Sequence, residues 1–187
     1  MTSKPGVYMP VGLDGCELCH PVSQDDFERI NVEVNGERRA NWRPVRVQLV
    51  HEDEGRTLVA SDSPWLGAHA LIFRDSAVEA LGGMLRDNGE LLPLDCAEAA
   101  LLMCNPTCVA DALDEASSSV VRFSTGRIMM IQRHIFHEKV IGNIDVFKIP
   151  NLRVSPTFVS HRFVDCWRTS GLKGLEFKLV WASPNSS

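Results

Sequence analysis

Leu175, Phe177, Leu179 and Trp181 alternate with Glu176, Lys178 and Val180, and this period of two constrains the chain more than any other feature. Such alternation buries one face of a strand and leaves the other at the surface. Just before it, Val159, Phe163, Cys166 and Ser170 recur at helical spacing with Trp167 beside them, and Gly171 supplies a helix stop. Thr157 or Ser155 is expected to start that helix. A helix, a glycine and a half-buried strand in this order predict a helix packed on a sheet.

The segments upstream extend the pattern. Val45–Leu49 reads as a strand, and Ile30–Val34 alternates and ends in Asn35-Gly36, which predicts a hairpin strand. Leu71-Ile72-Phe73 leads into a helix capped by Asp75 or Ser76, carrying Val78, Leu81 and Leu85 and ending at Asn88-Gly89. Glu90–Leu94 reads as a connector, and Ala99–Met103 as a buried strand broken by Asn105-Pro106. Arg127–Gln132 reads as a second buried strand, and Ile144–Ile149 as a third, ended by Pro150. Pro184–Ser187 is expected to fray. Together these segments predict an α+β fold: a mostly antiparallel sheet packed by a few helices, with a loop-rich N-terminal segment. Residues 1–69 form a loop- and strand-rich region and residues 70–183 an α+β domain, the two expected to make one compact unit.

Hydrophobic residues make up 44% of the chain, enough for a substantial core and too many for a disordered polyampholyte. The longest apolar runs, Ala99–Cys104 and Ile128–Ile131, fall far short of the roughly 20 residues of a spanning helix, so no membrane partner is expected. Met1–Gly12 has no apolar core of an export signal, so the chain is expected in the cytoplasm with its six cysteines reduced. The net charge of −5 argues against a nucleic-acid partner. That charge is unevenly spread: residues 61–116 hold two basic and ten acidic side chains, whereas residues 117–187 hold ten basic and four acidic ones. Two readings stay open, attraction between these thirds within one fold, or an acidic face for a basic partner.

Cys16-Glu-Leu-Cys19-His20 has the spacing with which two thiolates grip one Zn²⁺. A closed site needs two more ligands, which Cys104 and Cys108, or His20, would supply. Ordinary reduced cysteines and a redox dithiol are the alternatives, so no cofactor is expected unless zinc binds at Cys16 and Cys19. His134 and His137 would share a face only on a helix, and their surroundings read as a strand end. The sequence contains no Gly-rich phosphate loop and no Gly-x-Ser-x-Gly elbow, and no catalytic set is assigned.

An ordered series of stretches is similar to a known family. It runs through Glu90-Leu-Leu-Pro-Leu94, Asp111-Ala-Leu-Asp-Glu115 with Ser117 and Ser119, Gly126-Arg-Ile128, Ile144–Pro150, Val159–Phe163, Gly171–Phe177 and Trp181. Over residues 70–182 the chain resembles bacterial polymorphic-toxin immunity protein family eleven, once a domain of unknown function. The resemblance implies a non-enzymatic toxin inhibitor of bacterial competition, with a cognate toxin as partner. It favours a nuclease effector of a contact-dependent or type VI-type system. Other readings are a zinc-stabilised interaction module and a small enzyme of unrecognised type. A nuclease tends to be basic because it holds phosphates. The carboxylates of Glu79, Asp87, Glu90, Asp95 and Glu98, extended by Glu52, Asp53 and Glu54, are therefore the expected toxin-binding surface. Asp111 and Asp114 flank Leu113 in a way that suits a tight turn with side-chain bonds to backbone amides.

Overall fold

The computed structural model describes residues 6–184; the tail residues 185–187, expected to fray, lie outside the described residues. β1 (Gly6–Gly12) is followed by β2 (Leu18–Pro21), α1 (Gln24–Glu33), β3 (Val47–Val50) and the short pair β4 (Glu52–Asp53) and β5 (Arg56–Thr57). Next come β6 (Ile72–Phe73), α2 (Asp75–Asn88), β7 (Gly89–Pro93) and β8 (Leu102–Pro106). The chain continues through β9 (Ser119–Arg122), β10 (Ile128–Arg133), α3 (Glu138–Ile141), β11 (Val146–Phe147), β12 (Phe158–Ser160), α4 (His161–Thr169) and β13 (Leu175–Ala182). A four-stranded sheet has the order β11-β12-β1-β13, and a three-stranded sheet the order β6-β8-β7. The pairs β2-β3, β4-β5 and β9-β10 stand apart. Every strand pairing is antiparallel, and helices pack against the sheets, so the α+β expectation holds.

β1 sits between β12 and β13, which do not touch each other in the sheet. Its Pro10 is tolerated inside a central strand because β12 pairs with β1 only at Val7 and Tyr8. Beyond Tyr8 that edge of β1 has no strand beside it, so the missing proline N–H breaks no ladder there. On the other edge β13 pairs along the whole of β1, from Gly6↔Ala182 to Gly12↔Leu175. A register shift between Val7 and Tyr8 leaves Val180 as an extra residue. This bulge interrupts the strict alternation expected for β13: Leu179 is exposed, while Trp181 turns into the core.

Three apolar clusters fill the interior. In the first, Phe163, Val164 and Trp167 of α4 meet Leu81 and Leu85 of α2, with Phe73 and Leu175 between them. This is the helix-on-sheet core that the C-terminal pattern predicts. The second gathers Ile30 and Val34 with Val47, Leu49, Ile72 and Met103. The third is aromatic: Phe136 lies edge-on to Phe147, Phe158 and Trp181 at centroid distances of 5.5–6.1 Å.

Several local expectations give way to tertiary packing. Residues 30–34 do not form a hairpin strand; Ile30 lies in α1. Ser23 caps that helix by accepting from the Asp26 amide, and Asp25 and Asp26 suit the positive end of its dipole. Ile30 and Val34 are four residues apart and bury together, whereas Val32 is left in solvent. Glu90–Leu94 is not a connector but mostly β7, paired with β8 from Gly89↔Pro106 to Pro93↔Leu102. Asn105-Pro106 therefore ends β8 from within. The last helix starts at Ser160, whose hydroxyl accepts from the Phe163 amide, and not at Thr157 or Ser155. Phe158 and Val159 are held in β12 by β11 and β1. At α2 the capping position is Arg74, without a side-chain cap bond, and Asp75 is the first helical residue.

Two buried charges tie segments together. The Glu17 carboxylate is fully buried, with one oxygen accepting from the Ser61 amide at 3.0 Å and from Arg74 Nη2 at 2.7 Å. Lys148 Nζ donates to the backbone oxygens of Val34 at 2.7 Å and His69 at 2.8 Å. Burial pushes the Lys148 amine down to about 8.

Candidate functional site

The eight carboxylates expected to meet a partner divide into three groups. Glu52 and Asp53 lie on β4, Glu54 forms its turn at φ 48°, and all three are exposed. Glu98 reaches this group through His51, whose Nε2 is 2.7 Å from the Glu98 carboxylate. Glu79 and Asp87 are exposed on α2, about two helical turns apart. The remaining two make bonds within the fold, Glu90 through its carboxylate and Asp95 mainly through its backbone. Glu90 Oε1 accepts from the Arg39 amide at 2.8 Å and from Asn105 Nδ2 at 2.9 Å. Asp95 bonds β3 through its backbone and lies 3.8 Å from Arg46. Glu52, Glu54, Glu79 and Asp87 make no ion pair among the described residues.

Cys16 is half-buried, and Cys19 is fully buried against the second core, opposite Leu49 on β3. Burial, then the neighbouring Cys96 and Glu17, push the Cys19 thiol up to about 12. Cys104 is buried in the first core, where desolvation also pushes its thiol up to about 12. Among the described residues no group of three or more His, Cys, Asp or Glu side chains is placed to share a metal ion. His134 packs against the rings of Phe136 and Phe158, while His137 is exposed at the start of α3.

Hairpin β9-β10 forms a different kind of surface. Ile128 pairs with Arg122, and the turn closes through Phe123 and Gly126, the latter at φ 84°. Glu115 fastens the hairpin to the segment after β11. Its carboxylate accepts from Arg122 at 2.6 Å and from Asn151 Nδ2 at 2.6 Å, which together hold it below the usual carboxylate range. Asp114 caps the adjacent turn by accepting from the Ser117 amide at 3.0 Å, the side-chain turn that its position suggests.

Between the hairpin and residues 150–154 lies a cleft of about 660 Å³. Phe123, Arg127 and Met129 form one wall, and Leu152, Arg153 and Val154 the other. A second depression of about 640 Å³ shares Arg153 and Val154 and is closed by Asn31 and Val32 of α1. Large apolar side chains crowd this face: Phe123 is 49% exposed, Met129 48%, Val154 42% and Val32 64%. Arg127 and Arg153 make no ion pair among the described residues.

The strand expected to be buried at Arg127–Gln132 is thus largely a surface strand, with Ile128 its one buried residue. An Ile- and Met-rich run looks like core. Here it belongs to a two-stranded hairpin with no further strand beside it, so most of its side chains stay exposed. The signal that could have revealed this is the density of arginines around it, at 122, 127 and 133.

This hairpin and the 150–154 segment fall within a stretch that matches a known family. Residues 100–181 match the immunity protein family Imm11. The matched segment runs from just before β8 through nearly all of β13. It includes the Asp111–Glu115 motif but not Glu90–Leu94. The match supports a role in toxin immunity. No curated protein matches the chain. Among the described residues no helix is long and apolar enough to cross a membrane.

Proposed function

We propose that this chain binds and neutralises one cognate bacterial toxin by stoichiometric association, without catalysis. The observation that carries the reading is the Imm11 match over residues 100–181. The toxin is a nuclease effector of a contact-dependent or type VI-type system, and the chain meets it in the cytoplasm. Glu52, Glu54, Glu79 and Asp87 are exposed and unpaired, so they are the carboxylates available to steer a basic nuclease. Glu90 serves the fold and drops out of that surface. Inhibition of this kind needs a complementary face and slow dissociation, not a reacting group.

The test is co-expression with the toxin reading frame beside its gene. The expected results are rescue of growth, a complex that survives size-exclusion chromatography, and loss of nuclease activity in the purified pair. If the chain gives no rescue and forms no complex, the reading is wrong.

A further inference from the structure

We propose that the cleft between β9-β10 and residues 150–154 is the anchor site of the complex, and that it holds an acidic segment of the toxin whose carboxylates alternate with apolar side chains. The inference rests on the immunity reading and adds the surface and the chemistry of what it takes.

Phe123, Met129 and Val154 expose apolar area on facing walls of one concavity. Its volume lies within the roughly 300–1,000 Å³ range of sites that enclose a small ligand, enough for a few side chains. Phe, Met and Arg are the residue types that interface centres favour, while Lys and Glu are depleted there. The wall charges complete the argument. Arg127 and Arg153 face the cleft without an ionic partner, whereas Arg122 is spent on Glu115. A guanidinium fork matches a carboxylate in two parallel hydrogen bonds. The complement of this cleft is therefore an apolar side chain flanked by carboxylates. A nucleic acid fits less well: Phe123 is the one aromatic ring in the lining, and the chain's net charge of −5 opposes a polyanion.

Glu115 acts as a positioning residue. By bonding Arg122 and Asn151 at once, it sets the spacing of the two walls. The depression beside Val32 and Val154 continues the same face onto α1, where Glu28 also lines it, so a longer segment crosses that end with an uncharged or basic side chain.

The test uses the intact protein labelled at its methionine methyl groups. Met129 reports from the cleft wall, and the fully buried Met103 serves as the internal control. The probe is the peptide acetyl-Glu-Leu-Glu-Phe-Glu-Leu-amide, with the peptide in which lysine replaces each glutamate as control. The acidic peptide is expected to shift Met129 saturably and leave Met103 in place, and the lysine peptide to do neither. The double variant Arg127→Glu, Arg153→Glu is expected to weaken the response about tenfold or more. An unchanged Met103 signal checks that this variant folds. The proposal is overturned by no saturable shift at millimolar peptide, by equal response to both peptides, or by a stronger response to a single-stranded oligonucleotide. It is equally overturned if Met129 shifts on dilution alone, which would mean that a second copy fills the cleft. The double variant is also assayed for protection against the toxin, where about a hundredfold loss of affinity is expected. Protection at unchanged affinity would overturn the anchor site and leave the immunity reading standing. Absence of protection by the unaltered protein would sink the immunity reading itself.

Discussion

Residues 6–99 and the segment that matches Imm11, residues 100–181, use their charges in opposite ways. In the first, the least accessible carboxylates are structural: Glu17 is fully buried against Arg74, and Glu90 holds Arg39 and Asn105. The carboxylates left over are scattered over α1, the β4 turn and α2. In the second, Lys148 is consumed inside, but Arg127 and Arg153 stay unpaired beside exposed apolar side chains in one concavity. Charge density along the sequence is therefore a poor guide to a binding face. What matters is which charges the fold leaves unused, and whether apolar area lies next to them.

The comparison is broken most severely if the two regions fold separately. They should not. Within its sheet β13 pairs only with β1, so the matched segment alone lacks the strand between β12 and β13. A fragment of residues 100–181 is expected to show no cooperative thermal unfolding by circular dichroism, and a sharp transition would refute the point. Next in size is the buried carboxylate of the first region. Glu17→Ala should cost about 3 kcal/mol, because it strands Arg74 and leaves the Ser61 amide unpaired. Urea denaturation measures this, and a loss below about 1 kcal/mol would show that Glu17 is not structural.

Lys148 joins the two regions, and its pH dependence isolates that joint. Its amine is depressed to about 8 in the fold from an ordinary 10.5, so above pH 8 the unfolded chain binds more protons than the folded one. Stability should therefore rise with pH from about 8 to 9, by at most about 1.4 kcal/mol per unit. Above the ordinary thiol value of 9.0 the trend reverses. Cys19 and Cys104 stay protonated up to about 12 in the fold but ionise when unfolded. Lys148→Met should abolish the rise whatever its effect on absolute stability, and an unchanged slope would place the titration elsewhere.

The smallest effect is expected at the free carboxylates. Changing Glu52, Glu54, Glu79 and Asp87 to lysine should leave stability within about 0.5 kcal/mol per site. It should slow association with the toxin about tenfold at low salt, with dissociation little changed. Stopped-flow measurements at two salt concentrations check this. Faster dissociation would make the acidic surface the anchor and invert the comparison.

The elements legible in the sequence are those whose pattern has one solution. Val78, Leu81 and Leu85 fit only a helix, and Leu175 with Phe177 fits only a strand. Ile30, Val32 and Val34 satisfy period two, yet Ile30 and Val34 also satisfy the helical spacing of four. Burial against Val47 and Met103 decides for the helix. That Glu90 is engaged within the fold was not legible, because its partners, Arg39 and Asn105, lie 51 and 15 residues away. The cleft was illegible for the same reason, since its walls come from a hairpin and from a loop that begins 17 residues after the hairpin ends.

By itself, the sequence determined the local periods, the C-terminal helix and strand, and the ordered motifs of the matched segment. These depend on neighbours within a few residues, where side-chain spacing alone selects the conformation. Only the tertiary structure decided that the Pro- and Gly-marked start of the chain becomes the strand between β12 and β13. It also decided which charges are spent and which remain. Both follow from pairings between distant segments, and no local pattern encodes which edge or charge a remote residue will cover.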